Sequence, residues 1–410
     1  MTTTTDVGKV VVVGGGVAGV AAAEALRAAS STAEITLLSK EPVQPYYRLN
    51  LTRYLAGEIG EAELPIKPQS WYEQSNIQLM PGAEVSNLRL EERVVELGQG
   101  QTLPFDRLIL TVGAHPFMPP VPGGNRAGVT NLRTISDAKR ILSTNLAATR
   151  CVCIGGGLLG LETAGALARR GADVTLLEGY GWLLPRQLNQ RAGEILAEHI
   201  GSSGIALKTN ARTREILGDE RVRSVQLEDE SILPADIVVV ATGIRSNSYL
   251  ARLAGLEVDK GVVVDNRLVT SHPDVFAAGD VAEHRGVLYG TWAPAQFQGN
   301  IAGMNAAGAH VEFGGIPRSN ALKVLQLDMF SIGQIEPEDA SYDVIDQETD
   351  GEYLRLVFHD SHLVGAILLG DAKAAPHVKK AVEGKADFSP LLPRRPAARD
   401  VIDFISEQSA

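Results

Sequence analysis

The sequence predicts an α/β fold built from βαβ units, because one strand-turn-helix pattern occurs twice along the chain. Residues 10–19 read VVVVGGGVAG and residues 151–160 read CVCIGGGLLG. In each, an apolar strand runs into a glycine turn and an alanine-rich helix, which is the start of a Rossmann-type unit. A length of 410 residues with 42 glycines also favours two or three domains of this glycine-rich type.

The strands that complete each unit follow in order. Residues 34–38 (EITLL) and 173–177 (DVTLL) supply the second strand of the first and second unit. Residues 108–113 (LILTVG) and 237–243 (IVVVATG) each predict a buried strand that ends in a glycine turn. The proline-dense connector at 116–122 (PFMPPVP) is stiff and non-helical. It predicts a domain boundary near residue 114.

The last part of the chain changes in character from about Arg318. Apolar strand patterns recur at short spacing over residues 321–330, 353–358 and 362–369, with polar turns between them. This region predicts a small α+β C-terminal domain. The complete fold class is therefore α/β, with two Rossmann-like units and a smaller α+β domain after them.

Composition excludes several classes of partner. A net charge of −11 and a pI near 5.3 disfavour nucleic acid, whose phosphates an acidic protein repels. The sequence has no run of eighteen apolar residues, and its first residues lead into a strand without a signal-peptide pattern, so we expect no membrane span and a cytoplasmic location. Cys151 and Cys153 alternate within an apolar strand and are expected to be core residues. No second thiol or histidine pair lies near them, so we expect no metal site.

Both glycine turns have the G-x-G-x-x-G spacing directly after a strand and at the start of a helix. The first glycine permits a tight turn, the second lets a pyrophosphate approach the backbone, and the third lets helix and strand pack together. The helix N-terminus attracts the negative phosphates. The glycines are Gly14, Gly16 and Gly19 in the first unit and Gly155, Gly157 and Gly160 in the second.

The acid that ends the second strand of such a unit holds the adenosine ribose. In the second unit this residue is Glu178, which favours NAD over NADP, because a carboxylate accepts hydrogen bonds from ribose hydroxyls but repels a 2′-phosphate. Arg186 is the nearby exception to this argument, because an arginine can attract a 2′-phosphate. In the first unit the strand ends at Ser39, and Glu41 is the nearest carboxylate that could hold the ribose.

A third motif, residues 270–280 (TSHPDVFAAGD), places Gly279 and Asp280 after an apolar strand. Two dinucleotide units, two ATG-like turns and this late AGD together resemble the two-dinucleotide-binding flavoprotein reductases. In that superfamily the first unit binds FAD, the inserted second unit binds NAD(P), and the AGD aspartate holds the ribityl or pyrophosphate region of FAD. The resemblance therefore implies that Asp280 contacts FAD.

Further segments narrow the resemblance. Residues 45–53 (PYYRLNLTR), 155–162 (GGGLLGLE), 185–189 (PRQLN) and 322–333 (LKVLQLDMFSIG) look like the NADH:rubredoxin reductases and the FAD-containing part of NADH-dependent nitrite reductases. The ferredoxin reductases of oxygenase systems share the layout more loosely. The chain has no cysteine over residues 49–52 and no CxxC, so disulfide and peroxide reduction by a thiolate are disfavoured.

The resemblance also implies roles for further residues. Arg53 lies where a cation near flavin N5 would stabilise the reduced, anionic flavin, although it could equally be a solvated charge at a helix start. Glu162 is implied to approach the nicotinamide. Trp292 is implied to lie close to the isoalloxazine ring, although a lone tryptophan is often a core residue. The other residues so implied are Arg48, Val85, Thr111, Gly113, Arg133 and Gly279 along the FAD, and Gly243 at the NAD.

These patterns predict an FAD- and NADH-dependent oxidoreductase. We expect residues 1–113 and 245–316 to form the FAD-binding domain, residues 114–244 the inserted NAD-binding domain, and residues 317–410 the C-terminal domain. The expected activity is hydride transfer from NADH to FAD, with electrons passed to a small rubredoxin- or ferredoxin-like protein. The alternatives are an NADH oxidase or small-molecule reductase, a flavin-bound redox sensor, and a reductase subunit that docks to a larger enzyme.

Overall fold

The computed structural model describes residues 7–98 and 100–409. The chain divides into two units. The first comprises Met1–Tyr54, Ile59–Phe117 and Ile244–Ile316, and the second comprises Leu55–Glu58, Met118–Gly243 and Pro317–Ala410. The predicted three-domain division stays a prediction.

The helices and strands are numbered along the chain. Up to residue 117 they are β1 (Lys9–Val13), α1 (Val17–Ala29), β2 (Glu34–Ser39), α2 (Leu51–Ala56), α3 (Gln69–Gln74), β3 (Ile77–Pro81), β4 (Val85–Arg89), β5 (Val94–Leu97), β6 (Thr102–Pro104), β7 (Arg107–Leu110) and β8 (Ala114–Pro116). From 118 to 243 they are β9 (Val129–Thr130), α4 (Ile135–Leu142), β10 (Arg150–Ile154), α5 (Leu158–Arg169), β11 (Asp173–Leu177), α6 (Gln190–Ser202), β12 (Ala206–Lys208), β13 (Thr213–Gly218), β14 (Val222–Leu227), β15 (Ile232–Pro234) and β16 (Ile237–Val240).

The remaining elements complete both units. From 244 to 316 they are β17 (Ile244–Ser246), α7 (Tyr249–Leu253), β18 (Val262–Val264), β19 (Val275–Ala277), β20 (Ala282–His284) and α8 (Trp292–Ala306). From 317 onwards they are β21 (Ser319–Val324), β22 (Leu327–Gly333), β23 (Tyr342–Thr349), β24 (Glu352–His359), β25 (His362–Gly370), α9 (Ala375–Glu383) and α10 (Ala398–Ser409).

A five-stranded parallel sheet in the order β19-β7-β1-β2-β3 forms the centre of the first unit. Strands β1, β2 and β7 are mostly apolar and buried, because both faces of a parallel sheet are covered by other parts of the chain. Val10 of the central strand β1 lies between Ile35 and Arg107 in register. The antiparallel pair β8 and β17 lies where the chain leaves this unit and later returns to it.

Helices α1 and α8 pack unusually closely in the first unit. A Cβ atom at Gly299 would lie 2.3 Å from the backbone oxygen of Ala18, and one at Gly303 would lie 2.2 Å from that of Ala22. Real side chains do not approach a carbonyl oxygen so closely, so both positions of α8 require glycine. The first and last major helices of the unit are thereby held backbone to backbone.

The second unit repeats the same arrangement in a parallel sheet of order β12-β11-β10-β16-β9. Cys151 and Cys153 lie in its central strand β10, unbonded to each other and fully buried, so the prediction that they are core residues is confirmed. Burial raises the pKa of the Cys151 thiol to about 12. Both thiols therefore stay protonated at neutral pH.

The C-terminal part forms a five-stranded antiparallel sheet of order β21-β22-β25-β24-β23, covered by α9 and α10. The predicted α/β fold with an α+β C-terminal part is thus confirmed. One detail was wrong, since residues 321–330 are not a single strand but belong to β21 and β22. Leu325 and Gln326 turn the chain with φ values of +47° and +77°. Neither is a typical residue for a left-handed turn.

Candidate functional site

The first glycine turn has the geometry that its spacing predicts. Gly14 has φ +120°, and a Cβ there would lie 2.2 Å from the backbone oxygen of Thr111. A Cβ at Gly19 would lie 1.9 Å from the backbone oxygen of Gly14. At Gly16, in contrast, a Cβ would meet nothing within 4 Å. Packing thus accounts for Gly14 and Gly19. Gly16, the middle glycine of the motif, borders open space, where the pyrophosphate is expected.

The helix that begins at this turn offers free backbone donors to an anion. Gly16 is the N-cap of α1, no side chain caps the helix, and its first turn contains no acidic residue. The first amides of a helix have no partner within the helix, and its dipole favours negative charge there. The turn can therefore bind phosphate groups.

Glu41 and Arg48, both predicted to lie along the FAD, form one hydrogen-bonded cluster. The Glu41 carboxylate accepts the Tyr46 hydroxyl at 2.8 Å through Oε2 and the Arg48 guanidinium at 2.5 Å through Oε1. The guanidinium also lies over the Tyr46 ring, 5.1 Å from its centroid. The pair is partly exposed, so a ligand can reach both charges, and the arginine fixes the orientation of the predicted ribose acid.

The AGD turn lies against the first glycine-turn helix. Gly279 has φ +81°, and a Cβ there would lie 2.9 Å from the Cβ of Ala18 in α1. The backbone amide of Gly279 donates to Oε1 of Gln298 in α8 at 2.9 Å. Asp280 follows in a short 3-10 turn. The structure therefore brings together two motifs that are far apart in sequence.

Thr111 and Gly113 lie at the end of β7, next to the glycine turn. The buried Thr111 hydroxyl lies 3.0 Å from the carbonyl oxygen of Val13 and 2.9 Å from that of Gly14. Gly113 accepts the Asn247 backbone amide at 2.9 Å. These bonds hold the end of β7 against the glycine turn, where the predicted role needs it.

Trp292, Arg53 and Val85 occupy three different elements of the first unit. Trp292 is the first residue of α8, and its ring centroid lies 6.0 Å from that of Tyr47. Its Nε1 donor is buried and has no hydrogen-bond partner among the described residues. Arg53 lies exposed in α2, and Val85 begins β4 opposite Leu97.

These observations fit a bound FAD. Open space at Gly16 and uncapped amides at the start of α1 each provide for a ligand that bears phosphates. The Glu41 and Arg48 cluster adds a partly exposed carboxylate for ribose hydroxyls.

The second glycine turn has the same construction. A Cβ at Gly155 would lie 2.5 Å from the backbone oxygen of Ala241, and one at Gly160 would lie 1.8 Å from that of Gly155. A Cβ at Gly157 would meet nothing within 4 Å, and Gly157 is the N-cap of α5 without a side-chain cap. The second unit therefore has its own space for a pyrophosphate.

Glu178 lies directly after β11, beside this turn. Its Oε2 accepts the Gly156 amide and its Oε1 accepts the Tyr180 amide, each at 2.8 Å, and the residue is 7% exposed. Backbone amides thus fix the carboxylate in one orientation. Each oxygen keeps a second lone pair with which to accept a ribose hydroxyl, so the site fits the adenosine ribose of NAD.

The remaining predicted residues lie elsewhere in the second unit. Gly243 has φ +116° and follows β16, and Glu162 lies half-buried in α5. Arg133 precedes α4 and its backbone amide donates to Asp137 at 3.2 Å. Arg133 thus belongs to a different unit from the other residues predicted along the FAD.

Sequence reasoning missed Gln298, whose side chain holds the AGD turn, and Tyr46, which bonds to Glu41. Gly299 and Gly303 were also missed, although their G-x-x-x-G spacing is a signal of close helix packing. No group of three or more metal-ligating side chains occurs within residues 7–98 and 100–409. In the same part of the chain, no helix is both long and apolar enough to cross a bilayer.

Comparison with known families gives two matches. The model described as pyridine nucleotide-disulphide oxidoreductase matches residues 8–299, which include both glycine turns and the AGD motif. The model described as rubredoxin NAD+ reductase C-terminal domain matches residues 319–386, which contain the C-terminal sheet.

Individual relatives agree with these matches. Nitrite reductase (NAD(P)H) of Bacillus subtilis is 34% identical over 93% of this chain and 48% of its own length. Rubredoxin-NAD(+) reductase of Pseudomonas putida is 34% identical over 69% of this chain and 74% of its own length. The chain spans about half the length of the first two curated relatives it matches. Among solved structures, putidaredoxin reductase in a covalent complex with putidaredoxin superposes with a TM-score of 0.86 at 27% identity, covering 94% of this chain and 95% of that one.

Proposed function

Since the chain belongs to the pyridine nucleotide-disulphide oxidoreductase family, we propose that it is an NADH-dependent FAD flavoprotein reductase that supplies electrons to a small rubredoxin- or ferredoxin-like protein. The observation that carries this proposal is the pair of glycine turns, each with open space at its middle glycine and an acid beside it. FAD binds to residues 1–113 and 245–316, NADH binds to residues 114–244, and residues 317–410 form a separate domain. The reaction belongs in the cytoplasm, where NADH is the available reductant.

Bound FAD supplies a two-electron acceptor that can release its electrons singly. The chain's own residues bind and orient. The amides at the start of α1 and α5 hold the two pyrophosphates. Glu41 holds the FAD ribose, with Arg48 fixing its carboxylate, and Glu178 holds the NADH ribose.

The remaining roles concern the reacting rings. Trp292 contacts the isoalloxazine ring, and Arg53 provides a positive charge near it. Glu162 orients the nicotinamide, Gly243 lies along the NADH, and Val85, Thr111, Gly113, Arg133 and Asp280 lie along the FAD. None of these groups is a thiol, and both cysteines are buried in β10. The proposed acceptor is therefore not a disulfide.

A small electron carrier is the proposed acceptor because the names of two similar proteins specify one. They are rubredoxin-NAD(+) reductase and putidaredoxin reductase. A second candidate is a reductase subunit that docks to a larger enzyme. The match to the nitrite reductase of Bacillus subtilis favours this candidate. It covers 93% of this chain but only 48% of that enzyme, so in that protein the matching part is joined to further sequence.

The test is anaerobic stopped-flow absorbance of the purified FAD-loaded protein. We expect NADH to bleach the flavin and an oxidised rubredoxin or ferredoxin to restore its absorbance faster than oxygen does. Absence of bleaching would overturn the proposal. Reoxidation by oxygen alone would favour an NADH oxidase, and reoxidation only in the presence of a larger enzyme would favour the docking subunit.

A matched pair of variants localises the reaction. Gly157→Val puts its Cβ where nothing lies within 4 Å in the free protein, and its branched side chain occupies the space proposed for the pyrophosphate. It should abolish bleaching by NADH, whereas dithionite should still reduce the flavin. Gly201→Val in α6, where a Cβ also meets nothing within 4 Å, should bleach as the unchanged protein does. Equal bleaching by both variants would contradict the NADH assignment of this turn.

A further inference from the structure

The loop between β11 and α6 packs against the second glycine turn. It comprises residues 179–189 and follows Glu178, the proposed ribose acid. The side chain of Leu183 in this loop is fully buried, and a Cβ at Gly156 would lie 2.6 Å from its Cδ2. Gly156 is also the residue whose amide donates to Glu178. The position of the loop therefore affects the turn to which the pyrophosphate and ribose of NADH are assigned.

The same loop rests on the first turn of α6. A Cβ at Gly193 would lie 2.5 Å from Cδ1 of Trp182 and 2.9 Å from the backbone oxygen of Leu183. Trp182 also donates through Nε1 to the carbonyl oxygen of Leu188 at 3.2 Å. Closely packed groups cannot shift independently of each other. A movement of the start of α6 would therefore displace the loop.

Asn189 fixes the start of α6. Its Oδ1 accepts the Ala192 backbone amide at 3.1 Å as the N-cap bond of the helix, and its Nδ2 donates to the Tyr353 hydroxyl at 2.8 Å. The N-cap bond sets the orientation of the side-chain amide, because only its oxygen can accept. Asn189 is 8% and Tyr353 3% exposed, so solvent has little access to the bond between them.

The C-terminal sheet holds Tyr353 in turn. Its hydroxyl donates to Oδ1 of Asp346 at 2.9 Å, and Oδ2 of Asp346 accepts the buried Arg355 guanidinium at 2.7 Å. Burial and the charge of Asp346 raise the pKa of Tyr353. The hydroxyl therefore stays protonated at neutral pH and continues to donate to the carboxylate while it accepts from Asn189.

A second contact joins α6 to the same sheet. Arg191 and Glu348 form an ion pair, but their side chains are 45% and 42% exposed. Ion pairs in solvent contribute little, because water screens the charges and both long side chains lose freedom. The buried bond between Asn189 and Tyr353 is therefore the one that we expect to fix the start of the helix.

We propose that Tyr353 is a positioning residue for NADH: its hydroxyl holds Asn189, and thereby the start of α6 and the loop that packs on the second glycine turn. This inference rests on the proposed function, since it requires NADH at that turn. Tyr353 acts through Asn189 and the loop rather than on the nucleotide itself. The C-terminal sheet thus gains a role in nucleotide binding.

The test is calorimetric titration of the FAD-loaded full chain with NAD+, which binds without being consumed, in wild type, Tyr353→Phe and Asn189→Ser. Tyr353→Phe deletes the hydroxyl and keeps the ring. Asn189→Ser keeps a side-chain oxygen for the N-cap but loses the Nδ2 donor, so it tests the same bond from the other side. We expect each variant to bind NAD+ about threefold to tenfold more weakly.

The double variant and steady-state kinetics separate positioning from support of the fold. Both single changes remove one and the same bond, so the double variant should bind NAD+ no more weakly than the weaker single variant. With ferricyanide as the acceptor, the KM for NADH should rise by the same factor and kcat should stay unchanged. A residue that only supports the fold would lower the amount of active protein, and therefore kcat, without changing KM.

The matched control is Tyr342→Phe, the same change on the same sheet. The Tyr342 hydroxyl lies 3.3 Å from Oε1 of Gln334, and its loss should leave NAD+ affinity unchanged. Wild-type affinity in Tyr353→Phe, or additive losses in the double variant, would overturn this inference alone. Failure of the wild-type protein to bind NAD+ would overturn the proposed function.

Discussion

Glu178→Gln should weaken the preference for NADH over NADPH. The carboxylate is 7% exposed and accepts one backbone amide on each oxygen, from Gly156 and from Tyr180, both at 2.8 Å. An amide side chain has only one acceptor oxygen, so one of these backbone donors would face an NH₂ group. The change therefore disturbs the turn and also removes the negative charge beside the ribose.

The magnitude follows from these contacts. A hydrogen bond to a charged group contributes about 1.5–3 kcal/mol, which corresponds to about a tenfold to about a hundredfold change in kcat/KM for NADH. The unpartnered backbone donor should lower the free energy of unfolding by about 1–3 kcal/mol. NADPH loses less, because the repulsion between Glu178 and its 2′-phosphate disappears. The ratio of the two kcat/KM values should therefore fall at least about tenfold.

The assay is steady-state turnover of the FAD-loaded protein with each nucleotide and ferricyanide as the acceptor. Glu198→Gln is the control, since the Glu198 side chain is 74% exposed on α6 and its neutralisation should leave the ratio unchanged. An unchanged ratio in Glu178→Gln, or a wild-type preference for NADPH, would refute the assignment of the ribose to Glu178.

Three further outcomes are expected. Trp292→Phe keeps an aromatic ring but removes the buried Nε1 donor, so the absorption maxima of bound flavin should shift; identical spectra would contradict its place at the isoalloxazine ring. Gly299→Ala puts a methyl group 2.3 Å from the Ala18 oxygen and should lower the free energy of unfolding by about 1–3 kcal/mol in denaturant titrations, whereas Gly201→Ala, with open space around it, should not destabilise. Because burial raises the pKa of the Cys151 thiol to about 12, iodoacetamide at pH 8 should label the native protein only after denaturant is added, and loss of NADH turnover on native labelling would contradict this.

The sequence predicted those parts of the molecule whose physical cause is local. Gly14 and Gly19 were recognisable because a tight turn and a close helix start impose glycine at a fixed spacing, and the structure shows both clashes that a Cβ would cause. Glu178 was recognisable because it directly follows the second strand of a βαβ unit, where an acid that holds the ribose is expected. These residues were recognisable from a short stretch of chain, although the contact that requires glycine at Gly14 is with Thr111 on a distant strand.

Contacts between distant segments could not be predicted in this way. Gln298 bonds to Gly279, but nothing in the TWAPAQFQG segment distinguishes this glutamine from a solvated one. Arg48 and Glu41 form an ion pair that depends on how the chain folds back after β2. The turn at Leu325 and Gln326 could not be predicted for another reason. Both residues adopt a left-handed backbone conformation, for which neither leucine nor glutamine has a preference. Tertiary packing overrides local preference at such places.

The close crossing of α1 and α8 bears on how the chain is made. On a ribosome, α1 emerges early, whereas its partner helix ends only at Ala306, and strand β19, which completes the same sheet, ends at Ala277. The parallel sheet of the second unit is complete by Val240. That sheet can therefore form while α1 of the nascent first unit still exposes Ala18 and Ala22, which α8 later covers. A chaperone would be needed at this stage, when the first unit is incomplete.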